Sequence, residues 1–246
     1  MSLLAKYRDQ AKAATVEKEK DSLGGSVLES AVYPMTIKMA YLKTADSGAT
    51  GLVLKFAYAG DKEFRTTEWP ISGNAKGNKH YYERNGKNNP LPGFTIADDL
   101  CMAATGKGFF EQEDESKPVP IYNFESGSDV LTEVPVLTDL IGANVKLGIR
   151  KVIEDKNVKD NMGNYVPSGQ TREINEISKV FNEDGLTSSE IADGNPAEFI
   201  TKWEARNNGA VIDKSGKGSK PSAATGSGIA AKLGAAPAPS GMFSKK

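Results

Sequence analysis

Basic and aromatic residues are concentrated in one stretch of the chain, residues 69–93, which reads WPISGNAKGNKHYYERNGKNNPLPG. It contains several lysines and an arginine but a single acid, Glu83. The only histidine of the chain, His80, precedes Tyr81 and Tyr82. Cations neutralise phosphates, and exposed rings stack on bases of any sequence. The composition therefore favours a loop that binds single-stranded nucleic acid, with a solvated connector as the alternative.

Three consecutive segments with period-2 alternation precede this loop. They span 33–43, 51–58 and 62–71, are joined by short turns, and predict one antiparallel meander. Met39 and Tyr41 fall in phase with the apolar residues of the first segment. The residues predicted to be buried are Met35, Ile37, Leu52, Leu54 and Phe56.

The opposite face of this meander carries basic residues and a tryptophan. Lys and Arg on an antiparallel sheet are also typical of an ordinary solvated face, so both interpretations stand. Together with the loop, the predicted nucleic-acid-binding residues are Lys38, Lys55, Arg65, Trp69, Lys76, Lys79, His80, Tyr81, Tyr82, Arg84 and Lys87.

The later segments complete a recognisable order of elements. A helix ending before Gly106 is followed by two further strands, at 144–156 and 171–182, which flank a long loop at 157–170. The order β-β-β-α-β-β is that of an OB-fold, a five-stranded barrel that binds oligonucleotides. The sequence therefore predicts a mainly β protein with small helices and an OB-like five-stranded barrel. Another small barrel or a sandwich is the alternative, because residues 107–142 exceed what the minimal fold needs.

Composition divides the chain into three parts. Residues 1–31 are predicted to be an N-terminal helix and linker, and residues 32–209 the OB-like nucleic-acid-binding domain with two C-terminal helices. Residues 210–246, rich in Gly, Ala, Ser, Pro and Lys, are predicted to be a disordered tail. From Arg206 onward seven bases stand against one acid, a net charge of +6, so residues 1–205 carry −7 of the total of −1.

Motifs for catalysis and for metal binding fail on spacing. GNAKGNK lacks the spacing and the Ser or Thr of a phosphate loop. The loop from Asp155 has Lys159 where a calcium ligand is needed. His80 has no second histidine, and Cys101 lies among apolar residues without a base. The chain is therefore predicted to have no catalytic residues, no metal site and no cofactor.

The same composition bears on the compartment. Apolar runs are far shorter than the roughly 20 residues of a membrane span, and no secretory signal is expected. A single cysteine fits a reducing cytoplasm. The acidic pI of about 6.0 leaves only a local basic patch to favour nucleic acid.

Three segments carry a resemblance to a known family. SGNAKGNKHYYERNGKNNPLPGF, VPVLTDLIGANVKLGI and PSGQTREINEISKVF resemble segments of single-stranded DNA-binding proteins of short-tailed lytic bacteriophages, and the similarity runs from about Leu3 to Gly209. It implies a non-catalytic protein of the host bacterial cytoplasm that coats single-stranded DNA during phage replication and recombination. Replication, recombination or RNA polymerase proteins are the further partners that it implies.

The C-terminus departs from a pattern shared by many single-stranded DNA-binding proteins, whose tails are acidic with a hydrophobic tip. Here the tip remains and the acids do not. An alternative function follows, in which the chain is a transcription or recombination cofactor that recruits a polymerase or recombinase through its tail. The predicted partner-binding residues are Met242, Phe243, Lys245 and Lys246.

Overall fold

A computed structural model describes residues 27–60, 62–123, 125–160 and 165–216. The predicted N-terminal helix and most of the tail, including Met242, Phe243, Lys245 and Lys246, lie outside these residues. Residues 210–216 do not fit the predicted disordered tail, because Val211–Asp213 forms a short strand parallel to an inner strand of the sheet.

The described protein is mainly β, as predicted. Ten strands and three α-helices follow one another in the chain. The strands are β1 (Ala31–Thr44), β2 (Thr50–Tyr58), β3 (Lys62–Ile71), β4 (Tyr81–Arg84), β5 (Lys87–Pro90), β6 (Glu115–Asn123), β7 (Ser128–Val136), β8 (Asn144–Lys159), β9 (Tyr165–Phe181) and β10 (Val211–Asp213). The helices are α1 (Pro92–Thr105), α2 (Ser188–Asp193) and α3 (Phe199–Asn207).

Eight of these strands form one sheet, and β4 and β5 form a separate hairpin. β1, β2 and β3 are the predicted antiparallel meander. On its other edge β1 pairs first with β8 and then, at Tyr41, with β7. β8 pairs along most of its length with β9. β10 pairs in parallel with β8, directly after the part of β8 that pairs with β1.

The sheet is open, which corrects the prediction of a five-stranded barrel. β3 and β9 are not hydrogen-bonded to each other, and α1 packs against both. The extra residues 107–142 include the β6–β7 hairpin. The predicted loop at 157–170 is also shorter than expected, because β8 continues to Lys159 and β9 begins at Tyr165.

The core lies between the inner face of the sheet and α1. All five residues predicted to be buried, Met35, Ile37, Leu52, Leu54 and Phe56, are at most 3% exposed. Leu100 and Cys101 of α1 are also fully buried. Burying apolar area is the main favourable term in folding, so this packing holds β1–β3 and α1 in fixed positions.

α3 is held against the sheet from the other side by one large side chain. Trp203 is 4% exposed and donates its indole N–H to the Ser178 hydroxyl at 3.0 Å. Its ring lies so close to Gly148 that a Cβ there would be 2.9 Å from the ring atoms. Phe199, by contrast, is 42% exposed and docks only partly.

Candidate nucleic-acid interface

A one-residue bulge in β1 decides which side chains face outward. Ile37 is opposite Phe56 and Met39 is opposite Lys55, so that Lys38 is an extra residue without a cross-strand partner. An extra residue reverses the faces of everything that follows it. Ala40 therefore turns into the core, and Met39 and Tyr41 turn to the opposite face, although their period-2 phase groups them with Met35 and Ile37. On that face they are half-buried against a small apolar cluster of the β6–β7 hairpin.

We call the solvent-side surface of β1, β2 and β3 the outer face. Besides the predicted Lys55, Arg65 and Trp69, it carries two residues that the sequence did not single out, the half-buried Tyr41 and the exposed Lys43. Lys43 itself is the one feature of the sequence that indicates their outward orientation. It is in phase with Met39 and Tyr41, and a lysine is not expected to point into the core. The outer face thus combines cations with rings.

Trp69 is the best-defined aromatic residue of the outer face. It is 40% exposed, and the Lys43 Nζ lies 5.3 Å from the centroid of its ring. The ring lies over Gly51, where a Cβ would be 3.1 Å from Cζ3. The absence of a side chain at Gly51 therefore allows the indole to approach the sheet closely, and Lys43 approaches the ring.

The cations of the outer face are partly neutralised by one acid. Glu63 pairs with the Lys55 Nζ at 2.5 Å and with the Arg65 guanidinium at 2.8 Å. These hydrogen bonds, first the one from Lys55 and then the one from Arg65, lower the pKa of the Glu63 carboxyl. Lys38 and Lys43 form no ion pair with an acid in the described part of the chain.

An open groove of about 910 Å³ continues the outer face near Thr36, where the pairing of β1 with β8 on one edge ends and its pairing with β2 on the other edge begins. Lys38, Lys55 and Lys146 line it, together with the acids Glu63 and Glu183. Lys38 and Lys55 thus meet in one groove, as their common face in the sequence suggested.

The predicted loop is structured along its whole length. Residues 74–76 form a 3₁₀ turn, and the Asn74 N–H donates to the Ser47 carbonyl at 2.8 Å, which pins the loop to the β1–β2 turn. The β4–β5 hairpin follows, with Asn85 and Gly86 at positive φ in its turn, as Asn-Gly turns prefer.

The loop residues divide into two groups. Lys76, Lys79, Tyr81 and Tyr82 line one cavity of about 260 Å³, with the Lys79 Nζ 5.4 Å from the Tyr81 ring centroid. Arg84 and Lys87 instead lie exposed and paired in register beside the turn at the end of the hairpin.

His80 belongs to an aromatic cluster rather than to a metal site. Its ring centroid is 4.8 Å from that of Phe94, 5.1 Å from that of Tyr81 and 5.3 Å from that of Phe110. Among the described residues no group of three or more His, Cys, Asp or Glu side chains could hold a metal ion.

Tyr82 also borders the gap between β3 and β9. A cavity of about 730 Å³ there is also lined by Glu68, Arg150, Glu176 and Lys214. Lys214 pairs with Glu176 at 2.6 Å. Burial raises the pKa of Glu68 to about 7, opposed by the hydrogen bond from Thr66 and assisted by the charge of Glu176.

This buried carboxyl gives a pH-dependent stability. Because the pKa of Glu68 is higher in the folded state, protonation favours folding, and the contribution is lost as pH rises from about 4.5 through 7. We expect Glu68→Gln to stabilise the fold at pH 8 by on the order of 1 kcal/mol, raising Tm by about 2–4 °C, with little change at pH 4. Thermal melts across this pH range measure it; an equal shift at both pH values would contradict it.

Searches against models of known protein families and against curated proteins find no match for this chain. None of the described helices is long and apolar enough to cross a membrane. The outer face, the groove and the loop are therefore the features of the molecule from which a function can be inferred.

Proposed function

We propose that this protein binds single-stranded DNA without sequence preference through its outer face, and that it does not act as a catalyst. The observation that carries the proposal is Trp69 with Lys43 above its ring, on the surface that also presents Lys55 and Arg65. Exposed rings stack on bases and cations meet phosphates, which is what sequence-independent binding of single strands requires.

The path that we propose for the strand begins in the groove at Lys38 and Lys146, crosses the outer face, and ends at the loop beside Lys79 and Tyr81. The groove and the outer face share Lys38, Lys55 and Glu63. The loop continues from Trp69 because it begins at the end of β3 and is pinned to the β1–β2 turn. Along this path the cations would contact phosphates and the protein rings would contact the faces of bases, so these contacts do not distinguish one base from another.

We also propose an OB-like ancestry for this architecture. Three meander strands, a helix and a later hairpin follow in the OB order, and α1 packs against both free edges, β3 and β9. The proposed binding surface is then the β2–β3 face that OB-folds use.

The role in phage replication and recombination, in the host cytoplasm, rests on the resemblance of three sequence segments and is part of the proposal. Recruitment of a polymerase or recombinase through Met242 and Phe243 remains the alternative, and both residues lie outside the described residues. Deleting the tail separates the two: retained DNA affinity with lost stimulation of a partner enzyme would favour recruitment as the main role.

The test is a titration with poly(dT), matched duplex DNA and single-stranded RNA, monitored by tryptophan fluorescence. We expect poly(dT) to quench Trp69, while the buried Trp203 provides a constant background. Trp69→Ala should cost about 1–3 kcal/mol of affinity. The matched control is Tyr122→Ala, an aromatic residue that is 53% exposed on the β6 strand. Equal affinity for duplex and single strands would reject the proposal.

A further inference from the structure

Phe110 presents an apolar ring to solvent, and this exposure contributes nothing to the stability of the fold. It is 60% exposed, more than any other phenylalanine in the described ranges. It lies in a 3₁₀ turn, Phe109–Glu111, which follows α1, whereas its neighbour Phe109 is buried in the core. No local pattern in the sequence singles Phe110 out.

The Phe110 ring is held rigidly. It stacks on Phe94 with centroids 5.3 Å apart and planes 29° apart, and His80 and Phe109 meet it edge-on or nearly so. The turn is fixed from below, because the Phe109 N–H donates to Asp98 Oδ1 at 2.7 Å. Since one face of the ring rests on Phe94, the exposure belongs largely to the opposite face.

The ring also continues the proposed binding path. Centroid separations of 5.1 and 5.3 Å connect Tyr81 to His80 and His80 to Phe110, and Lys79 lies over Tyr81. Phe94 directly follows Gly93, where a Cβ would be 2.5 Å from the Trp69 carbonyl oxygen. The aromatic cluster therefore begins against the backbone of Trp69.

The chemistry of this position fits a base better than a protein partner. A single projecting ring offers far less than the roughly 800 Å² per partner of a standard protein interface. One flat apolar face is, however, what a nucleobase requires. Lys79, over the Tyr81 ring, supplies positive charge for phosphates at the loop end of this cluster, whereas Phe110 itself is followed directly by Glu111.

We infer that the free face of Phe110 is a stacking site for one nucleobase of the bound single strand, beyond the outer face. The inference rests on the proposed function and extends it by one subsite. Phe94 and His80 act as positioning residues, because they fix the ring in advance and reduce the entropy that is lost on binding.

The test compares Phe110→Leu, which keeps an apolar side chain on Phe94 but removes the aromatic face, with the wild type. The ligands are an oligo(dT) of about 16 nucleotides, near the upper end of OB-fold site sizes, and an abasic strand of equal length. We expect Phe110→Leu to weaken oligo(dT) binding by about 5- to 150-fold, with the same salt slope and unchanged affinity for the abasic strand. Phe110→Trp should retain affinity and, with Trp69→Phe, report binding by quenching.

The matched control is Phe199→Leu, at another partly exposed phenylalanine, on α3; it should leave both affinities unchanged. Equal binding of oligo(dT) by Phe110→Leu and the wild type would overturn this inference alone. Equal weakening of oligo(dT) and abasic binding would also overturn it, because the Phe110 ring would then support the structure and not stack on a base. A wild type that binds neither strand would instead reject the proposed function itself.

Discussion

Replacing Lys38 and Lys43 together by glutamine will weaken binding to every single-stranded sequence by the same factor. Each lost phosphate contact should flatten the dependence of log K on log salt by about 0.7, and thus by about 1.4 for the pair. At about 0.1 M salt the affinity of the double variant should therefore be roughly 25-fold lower than that of the wild type. The two lysines are chosen because no acid in the described residues neutralises them and they lie on the groove and on the outer face.

Titrations with oligo(dT), oligo(dC) and mixed sequence between about 50 and 200 mM salt measure both quantities. The charge-matched control is Lys202→Gln with Arg206→Gln, on α3, which should leave the slope unchanged. If both double variants lost affinity equally, the effect would be one of net charge, and the outer face would carry no special role. A changed affinity for oligo(dT) alone would contradict binding through phosphates.

Inserting one alanine between Ala40 and Tyr41 of β1 will reverse the faces of the residues that follow it and disrupt the native packing. With the extra residue, a strand that keeps Ile37 and Ala40 in the core turns Tyr41 and Lys43 inward, and Leu42 outward. Burying a lysine and losing native apolar burial should cost about 5 kcal/mol or more, which is comparable with the whole stability of a typical domain. We expect no cooperative melting transition near that of the wild type.

Two variants at Lys38 are the controls. Deleting Lys38 removes the bulge but leaves Met39 directly after Ile37, so that Tyr41 and Lys43 keep their outward face, and we expect this variant to retain a cooperative transition. Lys38→Ala, at an exposed position, should change stability by no more than about 0.5 kcal/mol. Thermal melts and chemical denaturation of the three variants make the comparison. An insertion variant that melts like Lys38→Ala would show that β1 can shift its register freely, and the assignment of Tyr41 and Lys43 to the outer face would then lose its basis.

Parts of the binding surface could be predicted because neighbouring residues decide them. Lys55 and Arg65 lie in uninterrupted period-2 segments, where each side chain must point opposite to the one before it. The Asn-Gly pair at 85–86 likewise specifies a hairpin turn by its preference for positive φ. Such features need no knowledge of what packs against the strand.

Other parts depend on contacts between distant segments. Phe110 gains its role only because Phe94, His80 and Phe109 converge on it after α1 has packed on the sheet. Glu68 has its raised pKa because it is buried beside the gap between β3 and β9, and because β9 also brings the charge of Glu176 near it. No short window of sequence contains these neighbours.

By itself the sequence determined the mainly β class, the β1–β3 meander, its buried apolar residues and the basic, aromatic character of the loop, because periodicity and composition are local properties. The tertiary structure alone decided that the sheet stays open and that Tyr41 and Lys43 face outward with Trp69. A bulge is a single extra residue whose position is set by pairing with β2 and by the packing of Ala40 against the core, and both of these interactions exist only once the sheet has formed.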